Sequence, residues 1–300
     1  MNWQEMLAAA QKMDTRSIAR CISLIEDEDD GFEELLSSLP PTTKKNIIGI
    51  TGPPGAGKST LTDGLIGEFI AQGKTIAVLC VDPSSPFHLG ALLGDRIRMS
   101  GWYTHPNVFI RSLATRGSLG GLHPRIIEIT ELLKALSFDL IIIETVGVGQ
   151  SEIEIAGLAD ATVVVLVPEA GDEVQTMKAG LMEIADIFVV NKSDRPEANH
   201  FATYLKAMTH AAGKDAPVIS TVASEKTGLP ELASVITQHL ALDTDNKRKA
   251  LLLAERAYQL IRNQKMKSIS KSVLAKEIEK AIQQHQFNLY HFIQSFDHGK

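Results

Sequence analysis

Residues 52–59 read Gly-Pro-Pro-Gly-Ala-Gly-Lys-Ser and follow the apolar run Ile47-Ile48-Gly49-Ile50. Glycines at this spacing let successive backbone N–H groups turn inward around phosphate oxygens, where a side chain would block the approach. Lys58 supplies charge for β- and γ-phosphates and Ser59 a hydroxyl for Mg²⁺, while the helix that starts here points its positive end at the anion. Gly55, Ala56, Gly57, Lys58, Ser59 and Thr60 are therefore candidate nucleotide-binding residues. The pattern is a P-loop, and it demands a strand before it and a helix after it.

A second motif, Asn191-Lys192-Ser193-Asp194, follows the apolar run Ile187 to Val190. The Asp194 carboxylate can accept from both the ring N–H and the exocyclic amine of guanine, Asn191 can bond the base edge, and the Lys192 stem can cover the base face. Adenine would leave Asp194 unpaired, a loss that discriminates strongly. Glu144-Thr145-Val146-Gly147 ends the run Leu140 to Ile143 and stands where many GTPases carry Asp-x-x-Gly. Its carboxylate can hold Mg²⁺ through water, and the Gly147 amide can meet a γ-phosphate, so the loop beyond can sense that phosphate. Asp82 ends the run Thr75 to Val81 and is a candidate for the metal shell. Asp95, within Gly94-Asp95-Arg96, reads equally as metal shell or as a surface ion pair.

These motifs need a scaffold that delivers polar groups to one edge. Apolar runs at 47–50, 75–81, 108–113, 140–143, 162–167, 187–190 and 218–221, separated by helical stretches, predict an α/β fold. It is a P-loop NTPase with a mostly parallel central sheet flanked by helices, its ligand at the strand C-termini. Residues 1–41 are expected as an N-terminal helical extension ended by Pro40-Pro41, 42–240 as the nucleotide domain, and 241–300 as a C-terminal helical extension.

A net charge of −6 leaves no basic stripe for nucleic acid, and Lys247 to Lys267 reads as a solvated helix face. Cys21 and Cys80 lie far apart, without redox or metal spacing. The start Met-Asn-Trp-Gln-Glu-Met lacks a basic segment followed by an apolar one, and the apolar runs are strand-sized. The expectation is a soluble cytoplasmic protein without membrane insertion. The histidines, His88 among them, form no ligand cluster.

Taken with Val81 to Ser85, Leu93 to Met99, the nine residues Glu-Thr-Val-Gly-Val-Gly-Gln-Ser-Glu at 144–152 and Gly171 to Gly180, the chain resembles the MeaB/ArgK GTPases from about Ser17 to Leu232. That family serves adenosylcobalamin-dependent methylmalonyl-CoA mutase and related acyl-CoA mutases as a chaperone, gating cofactor loading and ejecting damaged cofactor. The resemblance implies a Mg²⁺-dependent GTPase that cycles between GTP and GDP, with an acyl-CoA mutase as partner and a homodimer as assembly. It places Ser59, Asp82, Asp95 and Glu144 at the metal, and makes Val146 to Glu152 a switch. Asp172, Gln175 and Lys178 would lie in a further mobile loop, and Val222 and Ala223 stand where the family's last guanine contact is Ser-Ala.

The sequence departs from the family at Pro86-Phe87-His88-Leu89 and in a C-terminal arm without the usual Trp-containing dimerisation segment. Val148 stands where Ras-like enzymes orient water with Gln, which leaves Gln150 as the candidate and implies a slow enzyme stimulated by its partner. The alternatives are a P-loop kinase and a nucleotide-binding scaffold without hydrolysis.

Overall fold

Strand β1, Ile47–Thr51, is buried along its whole length, as a near-continuous apolar run must be when helices cover both faces of a parallel sheet. The computed structural model describes residues 2–42, 44, 46–82, 99–115, 122–145, 151–170, 180–242, 247–266, 269–284 and 287–296. Within them β1 is followed by α4, Lys58–Ala71, then β2, Ile76–Asp82, and β3, Val108–Ala114. Next come α5, Ile126–Ala135, β4, Leu140–Glu144, α6, Ser151–Leu158, and β5, Ala161–Leu166. The unit closes with α7, Gly180–Ile184, β6, Ile187–Asn191, α8, Ala198–Ala211, β7, Val218–Thr221, and α9, Leu229–Ala241. The seven strands pair in parallel in the order β3-β2-β4-β1-β5-β6-β7. All seven strands expected from the apolar runs are present.

Alternation along the strands splits the core into two layers. Ile48, Ile50, Ile142, Val163 and Val165 face α4 and α9 with Leu61, Leu65, Leu229 and Leu232. Val164, Leu166, Phe188 and Val190 face the other way, among Phe201 and Leu205 of α8. Gly49 lies on that second face because α6 sits directly on β1: a Cβ there would come 2.6 Å from Ile155 Cγ1.

At the sheet edge where the strands begin, three aspartates fasten neighbours together. Asp139 Oδ2, just before β4, accepts from both the N–H and the hydroxyl of Thr75 at 2.8 Å. Asp160 Oδ2, just before β5, accepts from Asn46 N at 2.9 Å and Ile47 N at 3.0 Å, and Asp186 Oδ2, before β6, accepts from Thr162 N at 2.9 Å. Each carboxylate satisfies backbone donors that the ladder leaves over.

Three helices precede the sheet: α1, Trp3–Ala10, α2, Thr15–Asp27, and α3, Phe32–Ser37. Asp14 caps α2 by accepting from Ser17 N at 2.8 Å, which leaves Ile18, Cys21, Ile22 and Ile25 buried on one face. Ion pairs hold this layer in place: Arg111 of β3 donates to Ser23 Oγ at 3.0 Å and pairs with Glu26, while Arg125 pairs with Glu28. Glu26 and Glu28 of the acidic run are thus contact residues, which their charge alone did not reveal. These helices belong to the same compact unit as the sheet, Met1–Asp245.

Asn246–Lys300 is a second unit, holding α10, Lys247–Lys265, α11, Lys271–Gln283, and α12, Leu289–Ser295. Asn288 Oδ1 caps α12 by accepting from Tyr290 N at 3.0 Å and His291 N at 3.1 Å. Leu251, Tyr258, Ile261, Tyr290 and Ile293 of this unit are exposed.

Candidate functional site

The loop between β1 and α4 is built on glycines in backbone regions closed to most residues. Gly57 has φ +88°, and a Cβ there would lie 2.4 Å from Asn191 Nδ2. Gly52 leaves no room either, since its Cβ would lie 2.0 Å from the Val165 carbonyl oxygen. The loop's carbonyls turn towards side-chain donors. Lys58 Nζ donates to Gly52 O at 2.9 Å and Pro53 O at 3.1 Å, Lys192 Nζ to Gly55 O at 2.7 Å, and Asn191 Nδ2 to Ala56 O at 2.8 Å. Four loop carbonyls are thus held by two lysines and an amide, while the Ala56 N–H turns to Pro53 O at 3.3 Å; glycine-rich loops of this kind form anion-binding nests.

Ser59 opens the first turn of α4, and its Oγ donates to Glu144 Oε1 at 2.6 Å, both residues being buried. The hydroxyl donates a hydrogen bond to the carboxylate and keeps its lone pairs for a cation. Together they form a hard oxygen set that fits Mg²⁺. Asp82 ends β2 opposite Ala114, and Cys80 pairs with Glu144 across the ladder, so the backbone of Asp82 lies on the same sheet edge. Asp95, Gly147, Gln150, His88, Asp172, Gln175 and Lys178 lie outside the described residues.

At the other end of the site Asn191 is a stitch. Its Nδ2 holds Ala56 O, and its Oδ1 accepts from Thr221 Oγ1 and from Ala223 N, both at 3.1 Å. Most of the carboxamide capacity expected at the base edge is spent joining three loops. Lys192 adopts φ +57° and reaches back to the P-loop, while Asp194 stands exposed beside it. Val222 and Ala223 are buried, and the Val222–Thr227 bridge shapes the turn that presents the Ala223 N–H. Arg195, next to Asp194 in the chain, pairs with Glu169, and that hydrogen bond holds the Glu169 carboxyl below its ordinary value.

Residue types alone did not single out Thr51, Thr145 or Thr221. Thr145 Oγ1 donates to Thr51 Oγ1 at 2.9 Å beneath the loop. A threonine at a strand end reads as ordinary β-former, and only its hydroxyl partner marks it.

The sequence model of the family described as Methylmalonyl Co-A mutase-associated GTPase MeaB matches residues 18–278. The chain belongs to the MeaB family. It is a GTPase that binds GTP and GDP, and it carries a P-loop. A Pyrococcus horikoshii protein named as a GTPase is 44% identical over 93% of this chain and 89% of its own length. The GTPase ArgK of Escherichia coli is 32% identical over 91% of this chain and 86% of its own. Among solved structures, one titled LAO/AO transport system kinase superposes with a TM-score of 0.69 at 23% identity, covering 98% of this chain and 97% of that one, which shows the shared fold. Among the described residues of this MeaB-family GTPase, no helix is long and apolar enough to cross a membrane.

Proposed function

We propose that this MeaB-family GTPase is Mg²⁺-dependent and acts as a chaperone for an adenosylcobalamin-dependent acyl-CoA mutase, methylmalonyl-CoA mutase or a close relative. It gates loading of the cofactor and protects the loaded enzyme. The observation that carries this reading is the match of residues 18–278 to a family described by its association with that mutase. Mg²⁺ would be held by Ser59 and Glu144, with Asp82 and Asp95 completing its shell, and would neutralise charge between the β- and γ-phosphates. Lys58 stabilises the same phosphates, Asp194 selects guanine with Asn191, Lys192, Val222 and Ala223 shaping its pocket, and Gly147 senses the γ-phosphate. Water attacks the γ-phosphorus, the bond to the β-phosphate oxygen breaks, and GDP and phosphate leave; Gln150 is the residue proposed to orient that water.

Exposed Leu251, Tyr258, Ile261, Tyr290 and Ile293 in the second unit support a homodimer formed through residues 241–300. The workplace of such a chaperone is the cytoplasm, where an acyl-CoA mutase would meet it. The test is co-purification with candidate cobalamin mutases under GDP and under a non-hydrolysable GTP analogue, together with turnover at each mutase concentration. Nucleotide-dependent capture with large stimulation of hydrolysis is expected. Hydrolysis that ignores every mutase, or phosphorylation of a small molecule in place of water, overturns the reading.

A further inference from the structure

Glu144 and Thr145 are consecutive, and the pleat sends them to opposite faces of the sheet. Glu144 Oε1 accepts a hydrogen bond from Ser59 Oγ at 2.6 Å, at the end of the P-loop, while Thr145 Oγ1 donates to Thr51 Oγ1 at 2.9 Å, just before it. Two neighbouring residues of one chain thus bracket the phosphate loop from both ends. The β1–β4 ladder registers its last pair at Ile50 and Glu144. Past that pair, among the described residues, the chain is tied to β1 by the Thr145 N–H on Ile50 O at 3.0 Å and by the two hydroxyls. Thr51 is 0% and Thr145 2% exposed, so water does not reach either to take over the contact.

We propose that Thr51 and Thr145 are a positioning pair for GTP hydrolysis: their hydrogen bond fixes the direction in which the chain leaves β4 relative to the P-loop. The proposal rests on the reading of Glu144 to Gly147 as the γ-phosphate switch. Valine would fill the same volume at either position, and apolar side chains occupy most of the surrounding strand positions. A hydroxyl pair in so dry a place costs desolvation that methyl contacts would not, and what it adds is direction. Neither hydroxyl touches a reacting atom in this account; both act through the loop and the segment that follow them.

The experiment compares Thr51→Val, Thr145→Val, the double variant and Thr145→Ser with the wild type. It measures kcat, KM, the affinities for GDP and a non-hydrolysable GTP analogue, and the thermal midpoint. Each valine should lower kcat about tenfold, with KM and GDP affinity within about twofold of wild type, and should narrow the difference between GTP-analogue and GDP affinities. The double variant should be no worse than either single, because the same bond is lost, and serine should restore kcat. A lowered midpoint with kcat and nucleotide preference intact would make the pair merely structural and overturn the proposal, as would losses that multiply in the double variant. A wild type that binds GDP and the analogue alike would instead sink the switch reading, and the positioning role with it.

Discussion

Lys192 Nζ donates to the Gly55 carbonyl oxygen at 2.7 Å, so a residue of the proposed guanine loop also holds the P-loop. Its backbone pays for that reach with a φ of +57°. Replacing it as Lys192→Met keeps an apolar stem and removes the tether. Because the contact is exposed, folding should hardly change, while GDP affinity should fall by about tenfold, corresponding to one charge-assisted hydrogen bond. Isothermal titration checks the affinity and a urea melt the fold.

Asn191→Ala tests the stitch itself. It removes the donor to Ala56 O and leaves the Thr221 hydroxyl and the Ala223 N–H without their acceptor in a buried site. Unfolding free energy should fall by about 2 kcal/mol, and nucleotide affinity should fall with it. Loss of affinity at unchanged stability would mean that Asn191 acts on the base alone.

Asp194 is exposed at the mouth of the proposed base pocket, free to meet a ligand. Asp194→Asn should shift preference from guanine to xanthine nucleotides, whose C2 carbonyl oxygen accepts where guanine's amine donates. Competition binding with GTP, xanthosine triphosphate and ATP reads this directly. Unchanged GTP selectivity would show that another group reads the base.

Acid should loosen the opposite edge of the sheet. Burial alone would raise the Asp139 carboxyl, but the N–H and hydroxyl of Thr75, with Lys74 and Lys44 nearby, outweigh it and hold it below its ordinary value. A depressed folded-state value means that the contribution is present above the unfolded carboxylate range, about pH 4, and is lost as pH falls through the lower folded value. Asp139→Asn should therefore flatten this part of the acid dependence of stability, and Asp139→Ala should cost about 1 kcal/mol at neutral pH. Urea melts from neutral to acid pH separate the variants.

Much of this was legible in the residues because the motifs carry their own geometry. Gly57 must be glycine where φ is +88° and Asn191 Nδ2 crowds its Cβ, and buried strands such as β4 and β5 are long apolar runs whatever surrounds them. Glu144 was found by its strand-end position, and its partner Ser59 by the P-loop pattern. The hydroxyl pair and the Asn191 stitch were not legible, because each joins positions far apart in sequence: Thr51 with Thr145, Asn191 with Ala56 and Ala223. The strand-start aspartates left a fainter trace, an Asp directly before each of three apolar runs. The contacts of Glu26 and Glu28 were not legible either, because their partners Arg111 and Arg125 lie far off in sequence.

Asp139, Asp160 and Asp186 give the sheet a fixed hem at one margin. The connection from Asp82 to Val108 leaves and rejoins adjacent strands that pair in parallel from Ile76 with Val108 to Asp82 with Ala114. Closing a longer loop adds only a logarithmic entropy cost. The frame of the sheet therefore tolerates a longer connection there at little cost in stability.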